Sequence, residues 1–144
     1  MGDEFSREEI MPGIWDEDLN SHPESEYKFE ASGYQCEIKR DMHHWTYCGY
    51  VQLPKTHPDF NNKHPEIGVH GELTYAKKGL FGFDCHHILM GDISPMDETM
   101  KDKHPKMFSD IEPFYGNRKH YWTYEEVKDQ VESMAEQFKS RENL

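Results

Sequence analysis

The stretch VHGELTYAKKGLFGFDC, residues 69–85, decides the fold. Val69, Gly71, Leu73 and Tyr75 alternate with His70, Glu72 and Thr74, the two-residue period of a strand with one buried face. Lys77, Lys78 and Gly79 read as a tight turn and Leu80–Cys85 as the returning strand, which predicts a β-hairpin over residues 68–85. Working outward, Tyr34, Cys36 and Ile38 alternate with Gln35 and Glu37, and WTYCGYVQL at 45–53 is aromatic and β-branched up to Pro54. Both segments read as strands. Residues 54–66 carry three prolines and two asparagines and read as a polar loop; residues 93–120 read as irregular.

The C-terminal segment is the clearest helix. Thr123 followed by Glu126 is a capping box, in which each side chain takes up a free backbone N–H of the other. Val127, Val131, Met134, Ala135 and Phe138 then fall on one face, so a helix is expected over 123–139. The fold class that follows is α+β, a small antiparallel sheet with the helix packed across one face.

The chain has 144 residues and a net charge of −12, unevenly spread. Residues 1–30 hold ten acids against two bases, and residues 31–95 hold seven against six. The first thirty residues therefore read as an acidic arm, flexible or docked through Trp15, ahead of a single domain at 31–144. No apolar run reaches membrane-spanning length, and the N-terminus lacks the order of a secretion signal. No membrane partner is expected, and an acidic chain with scattered lysines is a poor nucleic-acid binder. Three cysteines without C-x-x-C spacing (Cys36, Cys48, Cys85) read as reduced thiols in a cytoplasm.

The ten histidines are the unusual feature. His22, His57, His64 and His104 each precede proline and are expected in loops. His43 and His44 read as a strand edge, and Tyr121, Trp122 and Tyr124 as anchors of the helix start. The densest polar cluster lies at 70–92. His70, Glu72, Thr74, Asp84 and Asp92 are candidates for binding a small ligand. His70, Cys85 and His87 are candidates for catalysis, with the thiol as nucleophile and an imidazole as base. His70, Cys85, His87 and Asp92 offer the donor types of a divalent transition-metal site, although their spacing matches no strong metal motif.

The segments GYVQLPKTHP (49–58), VHGELTY (69–75) and GFDCHH (82–87) with Gly91-Asp92, followed by EEVKDQVESMAEQF (125–138), resemble a family of small proteins of tailed phages and prophages. That family's pattern, V-H-G-G-L-T then G-F-D-C-x-H then G-D, falls on His70, Gly71, Leu73, Thr74, Gly82, Phe83, Asp84, Cys85, His87, Gly91 and Asp92, with His57 in the His-Pro upstream. Glu72 departs from it, standing where a second glycine is expected and adding a negative charge. The resemblance covers residues 34–138. It implies an accessory protein of the host-cell cytoplasm that interferes with host defence. Its partner would be a nucleotide-derived signal that it binds or degrades, or a host enzyme that it blocks as an acidic inhibitor. A second copy of the chain is a further partner left open.

Overall fold

The computed structural model describes residues 4–115 and 118–144, the side chains of 114 and 115 excepted. In chain order the elements are α1 (Asp16–Ser21), β1 (Glu26–Ala31), β2 (Tyr34–Asp41), β3 (Thr46–Gln52), β4 (Tyr75–Lys77), β5 (Leu80–Asp84), α2 (Asp97–Lys103), α3 (Pro105–Tyr115) and α4 (Tyr124–Ser140). The strands form one antiparallel sheet in the order β1-β2-β3-β5-β4.

Alternation selects the covered face. Tyr34, Cys36, Ile38 and Arg40 of β2 are buried while Gln35 and Lys39 are exposed, and β3 and β5 bury Tyr47, Val51, Phe81 and Phe83. Against this face α4 sets Val127, Val131, Met134, Ala135 and Phe138, all fully buried. Each of the four larger side chains contributes about 1.5–3 kcal/mol relative to exposure. The capping box forms as expected, with Glu126 N–H donating to Thr123 Oγ1 and Thr123 N–H to Glu126 Oε1.

The hairpin is shorter than the alternation suggested. Lys78 (φ +50°) and Gly79 (φ +77°) make the two-residue turn between Lys77 and Leu80, both in the left-handed region that such a turn requires. Residues 68–74, however, do not make a strand. Gly71 (φ +66°) and Glu72 (φ +65°) bend the chain, with Glu72 N–H donating back to the Val69 carbonyl. Polar groups that would have paired with a neighbouring strand are taken by α4: Gln130 Oε1 accepts from His70 N–H, and Gln137 both accepts from Gly68 N–H and donates to its carbonyl. The period of two was real in the residue types, but side-chain amides of the helix claimed the backbone.

The acidic arm takes the second of its two readings, docked with Trp15 buried, and the domain begins before residue 31. Residues 1–3 of the arm lie outside the described residues; the rest is built into the same core. β1 pairs along β2, and Ile10, Trp15 and Leu19 are buried. Asp18, counted by charge as part of a solvated tail, accepts from Tyr47 OH at 2.8 Å, Tyr121 OH at 2.6 Å and Tyr124 N–H at 2.8 Å. Trp45 Nε1 donates to the Phe5 carbonyl, which fastens the start of the chain to the β2–β3 turn. Residues 93–120, expected to be irregular, contain α2 and α3; residues 116–117 of that segment lie outside the described residues. The three cysteines are free thiols.

Candidate functional site

The loop at 68–74, the end of β5 and the segment entering α4 meet at Asp92. This carboxylate is 2% exposed. It accepts from Trp122 Nε1 at 3.1 Å and from the His87 backbone N–H at 2.7 Å, and it lies 2.8 Å from His70 Nε2. With two donors already on Asp92, the His70 contact places the ring proton on Nε2 and leaves Nδ1 unprotonated in the neutral ring. The Trp122 ring covers His70 at 4.2 Å between centroids. The segment holding Asp92 is itself clamped, since Ile93 N–H donates to the His120 carbonyl and His120 N–H to the Gly91 carbonyl.

A second imidazole stands beside the first. The His87 ring lies 5.5 Å from His70, edge to face. Its Nε2 is 3.1 Å from Asp84 Oδ1, within ion-pair reach but off the line a hydrogen bond requires, so this buried nitrogen has no hydrogen-bond partner among the described residues. Gly71 makes room for it: a Cβ there would stand 2.2 Å from His87 Nε2. Asp84 Oδ1 also accepts from His86 N–H. The His86 ring packs 4.4 Å from His44, and its buried Nε2 likewise has no partner among the described residues. Burial first, and the neighbouring His44 second, hold the His86 pKa below the ordinary imidazole value.

The structure thus brings together four of the residues picked from the sequence: His70, Asp84, His87 and Asp92. It separates the others. Cys85 is 1% exposed on the core side of the sheet, where its N–H donates to the Tyr47 carbonyl. Burial, then the negative charge of Asp92, push its thiol well above the usual range, so the thiolate needed for attack is not formed near neutral pH. Glu72 is exposed in the loop, and no hydrogen bond or ion pair among the described residues joins it to the cluster. Thr74 donates its N–H to the Gly82 carbonyl and lines a different cleft, beside β4. Among the described residues, no three His, Cys, Asp or Glu groups stand where one metal ion could be held. Asp92 illustrates the reason, since its oxygens already serve N–H donors.

Two participants were not legible as such. Trp122 was expected to anchor the helix start, a role that Tyr121 and Tyr124 take through Asp18, whereas Trp122 turns its N–H to Asp92. His44 is in the β2–β3 turn rather than on a strand edge, and only the fold carries it to His86. Of the His-Pro histidines, His57 is in a loop yet buried: its Nε2 donates to the Phe138 carbonyl and its Nδ1 accepts from Asp59 N–H, which ties the 54–66 loop to α4.

Compared with protein-family models, with curated proteins and with solved structures, the chain matches none. The functional reading therefore rests on the site. Among the described residues no helix is long and apolar enough to cross a membrane.

Proposed function

We propose that this chain is a phage-type accessory protein of counter-defence that binds a small, nucleotide-derived ligand at the cluster of His70, Asp84, His87 and Asp92. The observation that carries the binding reading is the pair of buried imidazole nitrogens, Nε2 of His86 and Nε2 of His87, that have no hydrogen-bond partner among the described residues, next to a His70 whose geometry is fixed by Asp92. Buried polar atoms without partners cost free energy, and proteins keep them where a ligand supplies the missing bond. The imidazoles can donate or accept according to protonation. The phage and counter-defence parts rest on the resemblance over residues 34–138 alone.

The test is thermal melting of the full chain against a panel of cyclic nucleotides and ADP-ribose derivatives. A ligand raises the melting temperature by mass action on the native state. The expected result is a rise with one member of the panel that is absent in His70→Ala and Asp84→Ala. Unchanged melting across the whole panel would sink the proposal.

A second reading, a small hydrolase, is favoured by one specific feature: two imidazoles 5.5 Å apart, each facing a carboxylate through Nε2. One can accept a proton from water at Nδ1 while the other donates one to a leaving group. On this reading Cys85 is not the nucleophile, and Cys85→Ser retains turnover whereas His87→Ala loses it. Turnover that disappears in Cys85→Ser would contradict it.

A further inference from the structure

A cleft of about 500 Å³ lies between β4 and the 54–66 loop, apart from the histidine cluster. Lys63, Lys77 and Lys78 line it together with Asn61, and no aspartate or glutamate does. We propose that this cleft binds a small phosphorylated molecule through these three lysines.

The charge pattern carries the argument. In a chain of net charge −12, bases are outnumbered by acids. Lys28, Lys39, Lys101, Lys119 and Lys139 each have a carboxylate within 4 Å. Lys63, Lys77 and Lys78 have none among the described residues. Three lysines without a carboxylate partner line one hollow, and an anion bound among them gains charge-assisted hydrogen bonds. Lysine is a standard point-charge partner of phosphate.

The frame is built. The Lys78-Gly79 turn is fixed by its left-handed geometry, by Leu53 N–H donating to the Gly79 carbonyl and by Gln52 Nε2 donating to the Lys78 carbonyl. The Phe60 ring packs against Gly79, which seats the loop bearing Asn61 and Lys63 on the hairpin; a Cβ at Gly79 would stand 2.3 Å from that ring. Tyr75, 43% exposed, gives the cleft an apolar wall. The volume falls in the small-molecule range of roughly 300–1,000 Å³. A nucleic-acid strand is disfavoured because the chain as a whole carries a net charge of −12.

The experiment is calorimetric titration of the full chain with inorganic pyrophosphate, ADP, adenosine and a short single-stranded DNA, repeated in Lys63→Gln, in Lys77→Gln/Lys78→Gln, in the triple variant and in His70→Ala. The proposal expects pyrophosphate and ADP to bind at one per chain and adenosine not to bind. Affinity falls about tenfold for each lysine removed, the worth of one hydrogen bond to a charged group. It also falls with added salt, and His70→Ala leaves it unchanged. No saturable binding of pyrophosphate or ADP, equal binding of adenosine, binding that survives the triple variant, or tighter binding of the DNA strand would each overturn it. The lysine and His70 variants separate this site from the histidine cluster, so either can fail alone.

Discussion

Asp92 holds the Nε2 of His70 at 2.8 Å from a position 2% exposed to solvent. Everything the cluster does passes through that contact. Asp92→Asn keeps the shape but turns an amide N–H₂ toward Trp122 Nε1–H, His87 N–H or His70 Nε2–H, setting donor against donor. The expected cost is about 2 kcal/mol of stability, read by urea unfolding. Trp122→Phe removes a single donor and costs about 1 kcal/mol by the same measurement. Equal stability of Asp92→Asn and the parent chain would mean that the carboxylate is not the hub described.

Two adjacent left-handed residues make opposite predictions. Gly71→Ala places a Cβ within 2.2 Å of His87 Nε2 at a φ of +66°, so it destabilises by about 1–3 kcal/mol and displaces the His87 ring. Glu72→Gly relieves a φ of +65° on a non-glycine residue and raises or preserves the unfolding midpoint, by up to about 1 kcal/mol. Paired thermal melts decide both, and a destabilised Glu72→Gly would contradict the backbone described for 68–74.

His86 gives the fold an acid sensitivity. Its folded pKa is held down by burial and by His44, against the raising pull of Asp41, Asp84 and Asp92. As pH drops through the unfolded value of roughly 6.5, the unfolded chain takes a proton that the folded chain refuses. Stability from this residue is therefore full above that value and is lost as pH falls toward the folded pKa. In urea titrations, His86→Leu should flatten the decline of stability below neutral pH. A variant with the parent slope would show that His86 does not titrate differently in the fold.

The N-terminal segment is a structural part of the domain. Asp18→Ala strands Tyr47 OH, Tyr121 OH and Tyr124 N–H in the interior and is expected to cost about 3 kcal/mol or more. That is a large share of a typical total of 5–15 kcal/mol. A chain starting at residue 31 lacks β1 and the buried Trp15 and Leu19 and is expected not to give a cooperative melt. A sharp melt of the truncated chain would restore the picture of a dispensable arm.

These residues also show how far the sequence could be read. The α4 face and its Thr123–Glu126 box were legible because helix periodicity and capping are local. So were β2, β3 and the Lys78-Gly79 turn. Residues 68–74 were misread because their alternation is overridden by Gln130 and Gln137, more than fifty residues away, which nothing local announces. Asp18 was misread because a charge count treats every carboxylate as solvated, and only the fold reveals three donors waiting for one. In the site, His70, Asp84, His87 and Asp92 stood out by type and by the density of polar residues at 70–92. The contributions of Trp122 and His44 are products of tertiary placement. Cys85 was drawn in by its neighbours in sequence, whereas strand alternation points its side chain to the core.

The central claim, that His70 and His87 form one ligand-responsive site organised by Asp92, is tested most directly by histidine-selective nitrogen NMR of the full chain. The free protein should show His70 with a proton on Nε2. Addition of the panel member that raises the melting temperature should shift the His70 and His87 resonances together, with the same midpoint. A His70 ring protonated on Nδ1 alone, or a ligand that binds while both rings stay unmoved, would contradict the account.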